Sequence, residues 1–266
     1  MANLMTPLRG VIFDYGSTLI WLGPERRSAR TDYADVVARP GAEWLARFLA
    51  SKGILNGESA AHDFVERYLE VRERNRVLAE ETGREITARD SLILALESEA
   101  RVAPSSEARL RKAVAESFVP EIEAVEALPG ATETLEMLRK RDVKLALLSN
   151  CTDGDYVRTV VRRLGWEGYF DPFVVSADIG VRKPLPEAFR PVLDRWKIAP
   201  EEIAMVGDSL YHDVLGAGQL GLQTIHFTAI ENPGDPVHRR TVQPRWTAAS
   251  HAELQQLLVR LHGHAT

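Results

Sequence analysis

The chain carries one cysteine, Cys151, in 266 residues. A single thiol excludes an internal disulfide and any multi-cysteine zinc site. Long apolar runs are missing too: nothing approaches the roughly 20 apolar residues of a membrane span, and the stretch from Met1 to Arg9 has no long apolar segment. A cytoplasmic protein is therefore expected. Charge of one sign is equally scarce. The formal net charge is −5 and the positive residues are scattered, so neither nucleic acid nor a membrane surface is an expected partner. There is no repeat of fixed period and no low-complexity tract. What is present, 266 residues of which 45% are hydrophobic, suffices for one large domain or two modest ones around a packed core.

Apolar runs bounded by turn residues recur along the chain. Gly10 to Phe13, Val143 to Leu148, Phe173 to Ser176, Ile203 to Val206 and Thr224 to Phe227 each read as a short buried strand. From the second run onward, the intervals are long enough for a crossover helix each. The fold class this implies is α/β, a doubly wound parallel sheet whose strands end on one edge. The first interval breaks the rhythm, since over a hundred residues separate Leu19 from Ala131. Within it Trp44, Leu45, Phe48 and Leu49, then Phe64, Val65, Tyr68 and Leu69, then Leu110, Val114 and Phe118 repeat at helical spacing. The expected organisation is a core of residues 1–20 and 124–266 with a helical insert at 21–123. Pro24 and the segment Pro120 to Pro129 are its expected hinges.

Four strand-end motifs carry the chemistry. Asp14 ends the first run, before the small residues Gly16, Ser17 and Thr18, which let backbone N–H groups approach an anion. Ser149 ends the second, where its hydroxyl and the next N–H can hold a phosphoryl oxygen. Asn150 either orients substrate or caps the following helix. Lys183 sits in Gly180-Val181-Arg182-Lys183-Pro184, before a helix, where its ammonium would neutralise a phosphate and nearby acids. Arg182 reads as surface, and Cys151 as a small buried residue. Asp208 and Asp213 lie on one strand-to-helix loop and suit a hard cation, Mg2+ before others, bound directly and through an outer partner. Gly216-Ala217 allows close helix packing, and His212 reads as exposed.

Together these motifs, with Glu187 and Phe189 after the lysine loop, resemble the haloacid dehalogenase-like (HAD) hydrolase superfamily. The resemblance implies a HAD-like core with an inserted α-helical cap, a phosphorylated small-molecule substrate and an aspartyl-phosphate intermediate. It makes Asp14, Ser149 and Lys183 the expected catalytic residues. Ser149, Asn150, Lys183 and Thr18 become the phosphate-binding group. Asp14, Asp208 and the Gly16 carbonyl become the magnesium ligands, with Asp213 as the outer partner. The cap and the residues after the first motif, here Trp21, Arg26, Arg27 and Arg30, would set specificity.

One position departs from the pattern. Family phosphatases usually carry a second Asp two residues after the nucleophile, as the acid for the leaving alcohol, and here that position is Gly16. Haloacid dehalogenases of the family need no such acid, but they work without metal, usually lack an acid where Asp208 stands, and carry Tyr where Gly16 stands. A phosphatase is thus the first expectation, a C-halogen hydrolase the second, and a weakly catalytic or ligand-binding relative the third.

Overall fold

The computed structural model describes residues 7–22, 37–97, 106–231, 238 and 240–263. Pro24, Arg26, Arg27 and Arg30 lie outside the described residues. Contacts divide the chain into two compact units, one of residues 1–21, 126–150 and 161–266, the other of residues 22–125 and 151–160.

The first unit is built on a six-stranded sheet in the order β5-β4-β1-β6-β7-β8. Its strands are β1 (Gly10–Phe13), β4 (Lys144–Ser149), β5 (Phe173–Val175), β6 (Ile203–Gly207), β7 (Gln223–Phe227) and β8 (Trp246–Ala248). Every neighbouring pair is parallel. The apolar runs are continuous because both faces are buried. Ile12, Ala146, Leu148 and Met205 pack on the helix Pro186–Trp196 through Ala188, Phe189, Val192 and Trp196. The alternate residues Val11, Phe13, Leu145 and Leu147 are buried as well. The chain winds outward from β1 through β4 to β5 and then returns to β6 on β1's other side. The carboxyl ends of β4, β1 and β6 therefore stand side by side at the point where strand order reverses, which is where open α/β sheets bind ligands.

The long interval contributes no strand to this sheet among the described residues. It leaves through β2 (Ile20–Leu22) and returns through β3 (Val125–Ala127), which pair with each other. Between them lie α1 (Arg39–Ser51), α2 (Glu58–Thr82), α3 (Ala88–Glu97), α4 (Glu107–Ser117) and α5 (Val119–Ala124). Their buried stripes differ from expectation at two aromatics of α1, Trp44 and the half-buried Phe48. Ala42, Leu45, Ala46 and Leu49 form α1's buried face, whereas Trp44 is exposed and its indole N–H donates to Glu116 at 2.9 Å. Pro120 opens α5, where a missing N–H costs nothing. Residues 151–160, which the strand rhythm leaves with the sheet, group with these helices. There the Ala88 N–H donates to the Thr152 carbonyl and the Tyr156 hydroxyl to Glu121. No helix among the described residues is long and apolar enough to cross a membrane.

Candidate active site

Asp14 follows β1 directly, and its N–H continues the ladder to the Val206 carbonyl at 2.9 Å. The chain then folds back on itself, with the Tyr15 carbonyl accepting from both Leu19 and Ile20. The left-handed residue of this turn is Ser17, with φ 55°, and not Gly16. Gly16 is exposed, and a Cβ built on it would meet nothing within 4 Å. Its lack of a side chain is therefore not demanded by the backbone.

Ser149 is the last residue of β4 and is buried. Asn150 does not cap the following helix. Its Nδ2 donates to the Lys183 carbonyl and its Oδ1 accepts the Lys183 N–H, each at 2.9 Å, so the side-chain amide clamps the lysine peptide. The helix cap is Asp153, whose Oδ1 accepts the Tyr156 N–H at 2.7 Å. So held, Lys183 is only 2% exposed, and its Nζ donates to Asp14 Oδ1 and to Asp213 Oδ1, both at 2.6 Å. Burial alone would favour a neutral lysine, but the two facing carboxylates outweigh it and raise the Lys183 pKa. Arg182 is not a surface residue either; it is buried at 8% exposure.

Asp208 follows β6, and Leu210–Leu215 form a π-helical turn that carries Asp213. Such turns recur where a helix must present a functional side chain. Ser209 caps this turn by accepting the His212 N–H, while the Ser209 N–H donates to Asp213 Oδ2 at 3.0 Å. His212 is half-buried, its Nδ1 lying 3.2 Å from the Ser209 hydroxyl, and so belongs to the loop's own bonding. From β7, His226 Nε2 reaches the Asp208 carbonyl at 3.1 Å. The Asp213 side chain packs against Gly207, where any Cβ would overlap it. Gly207→Ala should therefore push Asp213 off Lys183, lowering kcat by about tenfold or more and stability by about 1–3 kcal/mol. Steady-state kinetics and thermal unfolding check both. At Gly216 a Cβ would stand 3.0 Å from Phe189 and from the Pro184 backbone, which is the close packing expected there.

Asp14, Asp208 and Asp213 offer carboxylate oxygens that all lie within 4.8 Å of one another. The cluster thus sets three acids against the Lys183 ammonium, an excess of acidic over basic groups. Burial first, and the Asp213 charge with it, raises the Asp14 pKa, while Lys183 opposes the rise. An all-oxygen donor set with an excess of acidic groups fits a hard divalent cation. Asp213 already uses Oδ1 for Lys183 and Oδ2 for Ser209, which suits an outer partner better than a direct ligand.

A family profile of haloacid dehalogenase-like hydrolases matches residues 8–221. The chain belongs to that family. Among its curated relatives, a glyceraldehyde 3-phosphate phosphatase of Pyrococcus furiosus is 35% identical over 102 residues, 38% of this chain and 41% of the relative. A phosphoserine phosphatase of Thermus thermophilus is 36% identical over 123 residues, 46% of this chain and 49% of the relative. The chain thus spans less than half the length of these relatives. Among solved structures, a 2-haloacid dehalogenase from Pseudomonas syringae pv. Tomato superposes with a TM-score of 0.62 at 27% identity, covering 95% of this chain and 99% of that one.

Two further features of this HAD-like hydrolase lie outside its four motifs. Trp21 is half-buried in β2, and its indole N–H meets no acceptor among the described residues. His251, near the other end of the chain, is 2% exposed with Nε2 2.9 Å from the Thr18 carbonyl. Burial pushes its pKa down from 6.5 to about 4, against the hydrogen bond to Thr18 and the charge of Glu133. Well above pH 6.5 the ring is neutral folded or unfolded, and it adds no pH dependence. As pH falls from 6.5 to about 4 the unfolded chain gains a proton that the folded chain refuses, so stability is lost, ~3 kcal/mol in all. His251→Gln should remove this part, so that its unfolding midpoint drops less than the parent's between pH 7 and pH 4.5.

Proposed function

We propose that this hydrolase is a magnesium-dependent phosphatase of a small phosphate ester, working through an aspartyl-phosphate on Asp14. The observation that carries this reading is the buried Lys183 ammonium held between Asp14 and Asp213, with Asp208 in the same acidic cluster. In the first step an Asp14 oxygen attacks phosphorus, the bond to the ester oxygen breaks, and the alcohol departs as its anion, taking a proton from water. In the second, water attacks the acyl phosphate, the bond between phosphorus and Asp14 breaks, and phosphate, a proton and the free carboxylate result. Lys183 favours the ionised Asp14 carboxylate and orients it, and its ammonium is available to phosphoryl oxygens. The Ser149 hydroxyl at the neighbouring strand end is assigned to the phosphoryl group. Asn150 is assigned the support of Lys183. Asp14, Asp208 and the Gly16 carbonyl would hold magnesium, with Asp213 behind them, and the ion supplies charge neutralisation on phosphate when bound. The helical insert and Trp21 are assigned to substrate selection.

Dehalogenation is the second reading, favoured by the likeness to the Pseudomonas syringae 2-haloacid dehalogenase. Against it stand Asp208 in the acidic cluster and Gly16 where those enzymes carry Tyr. Phosphate release from an aryl phosphate, abolished by EDTA and restored by Mg2+, is the expected result. Chloride release from 2-chloropropionate in EDTA, with no phosphatase activity in Mg2+, would transfer the assignment to the second reading.

A further inference from the structure

The turn behind Asp14 is braced by a side chain 233 residues away from it in sequence. Thr18 is fully buried, and its hydroxyl donates to Asp14 Oδ2 at 3.4 Å, while Lys183 holds Oδ1 at 2.6 Å. A contact of 3.4 Å is at the outer limit of a hydrogen bond, so a displacement of the Thr18 peptide by about a few tenths of an ångström breaks it. That peptide is fixed by His251. The Thr18 carbonyl can only accept, so Nε2 carries the proton, and Nδ1 faces the Thr134 hydroxyl at 3.0 Å. Thr134 in turn receives Gln255 Nε2 at 3.1 Å. The imidazole has little freedom to tilt. Ser250 caps the helix that His251 begins, accepting the Glu253 N–H, and the Phe227 ring packs 4.8 Å from the imidazole. The backbone of Gly130 closes the remaining side, where a Cβ would stand 2.8 Å from His251 Cβ. An apolar residue would fill this space, but it would hold neither the Thr18 carbonyl nor its orientation.

We propose that His251 is a positioning residue for the reaction: through Nε2 it sets the Thr18 peptide, and through the Thr18 hydroxyl it sets the face of Asp14 offered to phosphorus. This rests on the phosphatase reading above. It assigns His251 an effect on the chemical step rather than on substrate binding, because His251 touches Asp14 only through Thr18.

The test compares two amides. Glutamine places its Nε2 where the imidazole has Nε2 and can still donate to Thr18; asparagine places its nitrogen near the Nδ1 position and cannot reach it. With an aryl phosphate and Mg2+, His251→Asn should lower kcat about 10- to 100-fold with KM within about threefold of the parent. His251→Gln should restore kcat to within about threefold. Adding His251→Asn to Thr18→Val should cost little beyond Thr18→Val alone, since both act through one contact. Equal kcat in parent, Asn and Gln variants, whatever their melting temperatures, would overturn the proposal. Should His251→Asn not fold, Thr134→Val removes the ring's second partner, and an unchanged kcat there overturns it equally. A parent without phosphatase activity would instead refute the phosphatase reading alone. Calorimetric titration with Mg2+ then carries the comparison: affinity weakened in Asn and kept in Gln supports positioning of Asp14, and equal affinity in all three contradicts it.

Discussion

Asp14→Asn is expected to give a folded protein with no measurable turnover, a loss of about 10⁴-fold or more, as for other nucleophile deletions. The amide keeps the shape of the side chain but neither attacks phosphorus nor contributes charge to a cation. The fold should survive because the change removes a buried charge without stranding its partner. Lys183 retains Asp213 at 2.6 Å, and burial already works against an ionised Asp14. Thermal unfolding should therefore stay close to the parent while activity disappears. A variant as active as the parent would remove Asp14 from the nucleophile's role.

Gly16→Asp is expected to act in the opposite direction on one class of substrate. Without an acid at this position, the parent must expel the leaving group unprotonated, so aryl phosphates with acidic phenols should react much faster than alkyl phosphates. An aspartate here should accelerate alkyl phosphates selectively, by about 10²- to 10⁴-fold, and flatten the dependence on leaving-group pKa. The turn accepts the change: the position lies outside the left-handed region, which falls at Ser17, and the added Cβ has open space. Any loss of activity could not then be laid to backbone strain. Leaving-group series in both proteins, after matching their Mg2+ affinities, provide the check. A parent indifferent to leaving-group pKa in its chemical step would show that another group supplies the proton.

The strands that carry the site were legible because a parallel strand buried on both faces is an uninterrupted apolar run, as in Val11-Ile12-Phe13 and Ile203-Ala204-Met205-Val206. Their order then brought Asp14, Asp208 and Asp213 together from distant positions. Shorter strands were less even: β5 keeps the apolar run Phe173-Val174-Val175, but β3 and β8 are each interrupted by a polar residue, Glu126 and Thr247, and β2, though apolar as Ile20-Trp21-Leu22, is too short at three residues to stand out. Trp44 has the spacing of a core residue because hydrophobicity marks a helix face, whereas Ala42 and Ala46 complete that face and the indole N–H finds Glu116 outside. Polar residues were harder still, since a local pattern does not say where a side chain is spent. Asn150 serves a peptide 33 residues away, and Asp153 does the capping. Arg182 is buried although its neighbours in sequence suggest a surface loop. For His251 the sequence held half the signal: Ser250 and Glu253 have capping spacing and fix where the helix starts. Its partner Thr18 follows only from the fold.

The most direct test of phosphoryl transfer to Asp14 is a rapid-quench reaction of the parent chain with an aryl phosphate and Mg2+, followed by proteolysis and mass mapping. The expected result is a phosphoryl group on the peptide containing Asp14, present during turnover, absent in EDTA and absent in Asp14→Asn. A turning-over enzyme whose Asp14 peptide stays unmodified, or whose phosphoryl group sits on another peptide, would contradict the account.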